Sequence, residues 1–273
     1  MKVNQYEQLK NPDARVVFKK QKKGEKISLI ADCYQGLVTG DIERFTKKNW
    51  EVLKNNNIWI PFRRSNNTSH FFGDVSHVLL WEKGKGQLHS YAKLARNQLH
   101  DMHESGNRAW GRKGVAINRM QGLKAVPYYG EHFDNNVAVV FPFKDDELNP
   151  ALMSFIESDS FPEAIRELDQ AIKVTNRTLL KVPFDQSYWN EVGQKKYPYG
   201  LPKPYSDDPT QWIFHGNPLL SKDCLQVSIA RLLGYRWPAE LDKDMDLSEE
   251  SRSLVKSCDG LLSLAEEDGI VCV

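Results

Sequence analysis

Four short runs of β-branched and aromatic residues, "IWIPF" (58–62), "HVLLW" (77–81), "GVAINRM" (114–120) and "NVAVVFP" (136–142), are set between Gly, Asn and Pro turns. Such residues favour the pleated surface of a sheet, so the middle of the chain is expected to be built on the strands of a mixed sheet. Helical patterns surround them. "GQLHSYAKLARNQLHDMHESG" lies between the second and third runs, and "NPALMSFIES" and "FPEAIRELDQAIK" follow the fourth, each with an early Pro that suits a first helical turn. "TLLKVPF" reads as one more strand, and "ISLIADCYQGLVTGDIERF" as a short helix ending near Gly36, then a Gly-bounded turn into an extended segment.

Beyond these the character changes. "YPYGLPKPYSDDP" carries Pro198, Pro202, Pro204 and Pro209, which marks a boundary or an extended strap. "SKDCLQVSIARLLGYRW" and "LSEESRSLVKSCDGLLSLAEED" are amphipathic helices with Ser or Asp start signals. The expected class is α+β: a basic lead-in over 1–26, a mixed-sheet domain over 27–185, and a Pro-rich strap with a mostly helical extension over 186–273.

The apolar stretches Val78–Trp81 and Val137–Val140 are far too short to cross a bilayer, and the amino terminus is polar, so a cytoplasmic protein with no membrane partner is expected. Cys33, Cys224, Cys258 and Cys272 have no C-x-x-C or Cys/His ligand spacing, which points to reduced thiols. Net charge is +1, but it is unevenly laid out. Residues 1–124 hold 23 Lys and Arg against 11 Asp and Glu, whereas 125–273 hold 14 against 25. A basic front and an acidic back suggest a nucleic-acid-binding part joined to a part with another task.

Catalytic chemistry is harder to find. Enzymes that methylate exocyclic amines of DNA bases use an Asp/Asn/Ser-Pro-Pro-aromatic tetrad to hold the flipped-out base. "SDDPTQW" (206–212) is a near miss: the second proline is absent and the aromatic falls one residue late. Asp207 and Asp208 are read as starting a turn or capping a helix, with Trp212 packed beneath. There is no Gly-rich cofactor loop after a first strand, and no Asp/Glu-x-Lys of the kind that serves magnesium-dependent nucleases. His100 and His103, with Asp101 and Glu104 beside them, could face a metal from one helix side, but a solvated helix face is the favoured reading and no metal is assigned.

The positive signals concern DNA. "NRAWGRKGVAINRM" sets Arg108, Arg112, Lys113 and Arg119 around Trp110, with Gly111 and Gly114 allowing close backbone approach. "PFRRSNNTSHFFG" supplies Arg63, Arg64, Asn66 and Asn67, and "WEKGKGQ" adds Lys83 and Lys85. Arginine forks clamp phosphates or read guanine, and asparagine amides read adenine, so these eleven residues are the candidate DNA contacts.

Six segments taken together, "GLVTGDIERF", "WGRKGVAINRM", "FDNNVAVVFP", "KVTNRTLLKVPFD", "GLPKPYSDDPTQWIFHG" and "LQVSIARLLGYRWPAELD", resemble the carboxy-terminal region of large bacterial N6-adenine DNA methyltransferases. These are the type IIG-like restriction-modification enzymes and the methylases of BREX- and DISARM-type phage defence. The resemblance runs from about Ile27 to Val273 and implies a target-recognition domain opening at the Gly36–Gly40 turn and closing over Thr175–Phe184. The family's cofactor loop and Asn-Pro-Pro-Tyr tetrad have no counterpart here. The resemblance therefore implies a chain that is non-catalytic alone, with S-adenosylmethionine held by a methyltransferase catalytic domain or subunit as partner and duplex DNA as ligand. The competing expectations are a small metal-dependent nuclease and a methylase-docking protein that never touches DNA.

Overall fold

The structure is a computed structural model that describes residues 4–9, 25–48, 51–52, 58–65, 77–95, 102–120, 122–144 and 146–201, and then 205–206, 229, 232, 246–247, 249–260 and 263. In chain order its elements are α1 (Gln5–Gln8), β1 (Ala31–Gln35), α2 (Ile42–Phe45), β2 (Thr46–Lys48), β3 (Trp59–Arg63), β4 (His77–Leu80), α3 (Gln87–Leu94), β5 (Gly114–Asn118), β6 (Ala125–Tyr128), β7 (His132–Phe133) and β8 (Val137–Pro142). Then come α4 (Asn149–Ile156), α5 (Ser160–Leu168), α6 (Asn176–Leu180), α7 (Gln186–Lys196), β9 (Tyr205–Ser206), β10 (Asp246–Leu247) and α8 (Glu249–Asp259). The class is α+β, as expected. Among the described residues no helix is long and apolar enough to cross a membrane.

The chain falls into two compact units, each discontinuous in sequence. The first holds the residues up to Gly36, the short stretch from Ser65, and Ser105–Leu201. Its antiparallel sheet has the order β1-β8-β5-β6, with Cys33 opposite Val140, Val115 opposite Val140 and Ala116 opposite Val126. Period-two alternation divides β8 between two apolar layers. Ala138 and Val140 join Val115, Ile117, Leu152, Phe155, Phe161 and Ile165, whereas Val137, Val139 and Phe141 join Ala116, Tyr128 and Phe133. Both faces are thus covered, which is why "NVAVVFP" shows no polar alternation. Removing one Phe or Ile side chain from water contributes about 1.5–3 kcal/mol, so the layer under α4 and α5 dominates this unit's stability. All eight residues of α4 are buried. It packs on α7 so closely that a Cβ at Gly193 would lie 2.7 Å from Ala151 N and 2.8 Å from the Pro150 carbonyl carbon.

The second unit holds Leu37–Arg64, the residues from His70 to Glu104, and those from Pro202 on. Here β4 pairs antiparallel with both β2 and β3, setting Leu79 opposite Thr46 and Ile60. Leu37, Phe45, Phe62, Val78, Leu79, Leu80, Leu88 and Ala92 are its buried apolar side chains among the described residues, with the Tyr91 ring 5.2 Å from that of Phe45. β9 and β10 pair in parallel.

The four runs from 58, 77, 114 and 136 form strands, and "NPALMSFIES" forms α4. Elsewhere the structure departs from expectation. Residues 31–35 are a strand rather than a helix, because Ala31 and Cys33 point to the core and Asp32 and Tyr34 to the other side, a period of two that β8 pairs. The helix comes later, as α2, where the Asp41 carboxylate accepts from Arg44 N at 3.1 Å. "TLLKVPF" begins as helix, its Thr178–Leu180 ending α6, which is capped by Thr175 accepting from Thr178 N. Only its end is extended: Val182 O accepts from Ile27 N and Phe184 N donates to Glu25 O. The helix in "FPEAIRELDQAIK" stops at Leu168, where buried Asp169 accepts from Ala171 N and from the Thr178 hydroxyl, fixing a turn. β6 and α7 are additions to the expected set, α7 lying just beyond residue 185. Most of "SKDCLQVSIARLLGYRW", and Asp207, Asp208 and Trp212, lie outside the described residues, while α8 covers Glu249–Asp259 of the last amphipathic pattern, most of whose remainder also lies outside them.

Candidate nucleic-acid interface

In the first unit, Ser105–Lys113 is a chain of tight turns against the sheet face that carries Tyr128, Phe133 and Phe141. Ala109 N donates to Gly106 O, Arg112 N to Ala109 O, and Gly111 N to Gly130 O, all between 2.9 and 3.0 Å. Gly111 and Gly130 have φ of +74° and +106°, and a Cβ on Gly130 would sit 2.7 Å from Gly111 Cα. Only glycine fits that approach, so the cations of this segment project from a backbone fixed at both ends.

Arg108 is exposed and donates from Nη1 to the Tyr34 hydroxyl at 3.0 Å, which in turn donates to Asp32 Oδ2 at 2.8 Å. Arg112, also exposed, sits 4.2 Å over the Phe141 ring and donates from Nη2 to Pro142 O at 2.7 Å. Lys113 beside it is exposed. Trp110 is half-buried, and its ring lies 3.8 Å from that of His132. Burial pushes the His132 imidazole down to about 4, so it is neutral at pH 7. The indole face turned to His132 is occupied inside the protein and is not open to a stacking base.

Arg119 departs from the expected role. It is 6% exposed, donates from Nε to Val174 O at 2.8 Å, and from Nη1 to Gln35 Oε1 at 2.7 Å and Asn135 O at 3.0 Å. Its guanidinium pins the segment before α6 to the sheet, and burial lowers its pKa below the ordinary arginine value. The nearby Cys33 is free and buried, and burial pushes its thiol well above the usual range, in keeping with a reduced, unreactive sulfur.

In the second unit Arg63 is 2% exposed, so it too is unavailable to a ligand in this conformation. It ends a strand in which Phe62 is also buried, and the period-two rule that would send one of the two to solvent does not hold there. Arg64 is half-buried, its Nη1 3.4 Å from His77 Nε2. Asn66 and Asn67 lie outside the described residues. Lys83 and Lys85 are exposed on the 3-10 turn Glu82–Gly84 and its flank. Glu82 and Lys83 have φ of 48° and 56°, a conformation that costs a non-glycine residue roughly 1–2 kcal/mol. Three bonds offset it. Trp81 N and Glu82 N donate to Ile58 O, and the Glu82 carboxylate accepts from Gln87 N at 2.6 Å, capping α3 in place of Gly86.

Among the described residues the candidates that are exposed or half-buried are thus Arg108, Trp110, Arg112 and Lys113 in the first unit and Arg64, Lys83 and Lys85 in the second. His103, expected on a solvated helix face with His100, is 2% exposed and faces His89 instead; His100 and Asp101 lie outside the described residues. His89 carries no spacing signal in the sequence, since it meets His103 only through the fold.

No family model matches the chain, and no curated protein does. Among solved structures it is similar to the HsdS subunit from Thermoanaerobacter tengcongensis, at 9% identity and a TM-score of 0.40, over 88% of this chain and 44% of that one. The chain thus spans less than half the length of that subunit.

Proposed function

We propose that the chain is the DNA target-recognition part of an N6-adenine DNA methyltransferase of a restriction-modification or phage-defence system, and that it does not methylate alone. The observation that carries this reading is the excess of twelve basic residues before residue 125, of which Arg108, Arg112, Lys113, Lys83 and Lys85 are exposed on turns. The six-segment sequence resemblance supports it independently and supplies the adenine-methylase context.

In this reading Lys113, Lys83 and Lys85 act as point charges on phosphates. Arg108 and Arg112, each held by bonds through one terminal nitrogen, present the rest of the guanidinium fork to a phosphate or a guanine edge. Arg64 and the neighbouring Asn66 and Asn67 are the proposed base readers. S-adenosylmethionine is bound by a partner catalytic domain, which receives an adenine positioned by this chain. The test is selection of bound duplexes from a random pool. Enrichment of one short sequence supports target recognition; recovered pools identical to the input contradict it.

A further inference from the structure

A separate cluster of metal-ligating side chains lies in the second unit. His89 sits on α3, while His103 and Glu104 belong to the 3-10 turn Met102–Glu104, whose Met102 O accepts from Val38 N at 2.9 Å. His89 Nδ1 is 3.1 Å from His103 Nε2, and Glu104 Oε1 is 3.7 Å from the same nitrogen. All three donor atoms fall within 4.8 Å of one another. The cluster runs from a buried imidazole, 2% exposed, to a carboxylate whose side chain is 49% exposed, so an ion could enter from solvent.

One proton can join the two imidazoles in a hydrogen bond, but it does not reach Glu104 Oε1 at 3.7 Å. His103 Nε2 faces both an imidazole nitrogen and a carboxylate oxygen, yet it carries at most one hydrogen to share between them. A single cation satisfies all three lone pairs. The spacing agrees: zinc bonds of about 2.0–2.1 Å at tetrahedral angles put neighbouring donors roughly 3.3 Å apart, between the 3.1 and 3.7 Å observed. Two imidazoles and one carboxylate favour zinc over magnesium or calcium, which prefer all-oxygen shells.

We propose that His89 Nδ1, His103 Nε2 and Glu104 Oε1 bind one divalent transition-metal ion, zinc by donor preference, with water completing the shell. The ion clips α3 to the turn 102–104 and so holds the helix that follows the Lys83–Lys85 turn. Its role is structural.

The test uses the full chain, stripped with EDTA and titrated in the absence of DNA with zinc by calorimetry and with cobalt(II) by visible absorption. The result is thereby independent of the proposed DNA function. Expected are one saturable site per chain, d–d bands typical of low coordination number, and at least a tenfold loss of affinity in each of His89→Ala and Glu104→Gln. Circular dichroism confirms folding, and Glu104→Gln, at the exposed end, keeps the test sound if the histidines prove essential to folding. No saturable binding by the wild type, or wild-type affinity in the folded variants, overturns the proposal.

Discussion

Trp110 lies flat against His132, with ring centroids 3.8 Å apart and planes 27° from parallel. The contact keeps His132 neutral, because burial holds its pKa at about 4, below the ordinary 6.5. The unfolded chain then binds the proton more readily than the folded one. Stability contributed here is fully present above about pH 6.5 and is lost as pH falls toward 4, by roughly 2–3 kcal/mol in total. Urea melts at pH 7.5 and 4.5 check this: His132→Phe should show a smaller loss on acidification than the wild type, and an equal loss would rule out His132 as the source.

Arg119 and Lys113 should separate fold from binding. Arg119→Ala removes three hydrogen bonds, one to the buried Val174 O and two to the part-buried Gln35 and Asn135, and should cost about 2–3 kcal/mol, with Arg119→Lys failing to restore it because the fork geometry is lost. Lys113→Ala should change stability by less than about 0.5 kcal/mol yet weaken binding to every duplex alike. Denaturation midpoints beside anisotropy titrations of both variants give the comparison.

Much of the fold was legible in the sequence where one element's own residues decide its state. The four strand runs and α4 carry their pattern locally, and α4, buried all round, is apolar apart from Asn149 and Ser154. The segment 31–35 misled because Ala and Gln are good helix formers, whereas its pairing with β8, more than a hundred residues on, decides for strand. "TLLKVPF" misled in the opposite sense: a β-rich composition yields to the Thr175 cap. The candidate site divided in the same way. Lys83, Lys85, Arg108, Arg112 and Lys113 are exposed as charged residues on turns are expected to be. Arg63 and Arg119 look no different in sequence, and only their tertiary surroundings bury them.

Gly193 offers a check on the packing of α4 against α7. In an ordinary exposed helix, Gly→Ala gains about 1 kcal/mol. Here the new methyl meets backbone atoms at 2.7 to 2.9 Å, which cannot retreat as a flexible side chain would. The clash should win, and Gly193→Ala should lower stability by roughly 1–3 kcal/mol in thermal or urea melts.

In the reading proposed above, methyl transfer needs a partner. Purified chain incubated with labelled S-adenosylmethionine and mixed-sequence duplex should leave the DNA unlabelled, because the near-miss tetrad at 206–212 lacks its second proline and no cofactor loop precedes it. Label entering the DNA, or tight cofactor binding by calorimetry, would place catalysis in this chain.

Duplex binding through the basic front of the chain is tested most directly by its salt dependence. Anisotropy of a labelled duplex, titrated from roughly 50 to 200 mM salt, should give a log–log slope of about −5 or steeper if six or more phosphates are neutralised, since each releases counterions. Lys113→Ala should make that slope shallower by about one unit. A flat salt profile, or no duplex binding even at the lowest salt, would contradict a DNA-recognition role.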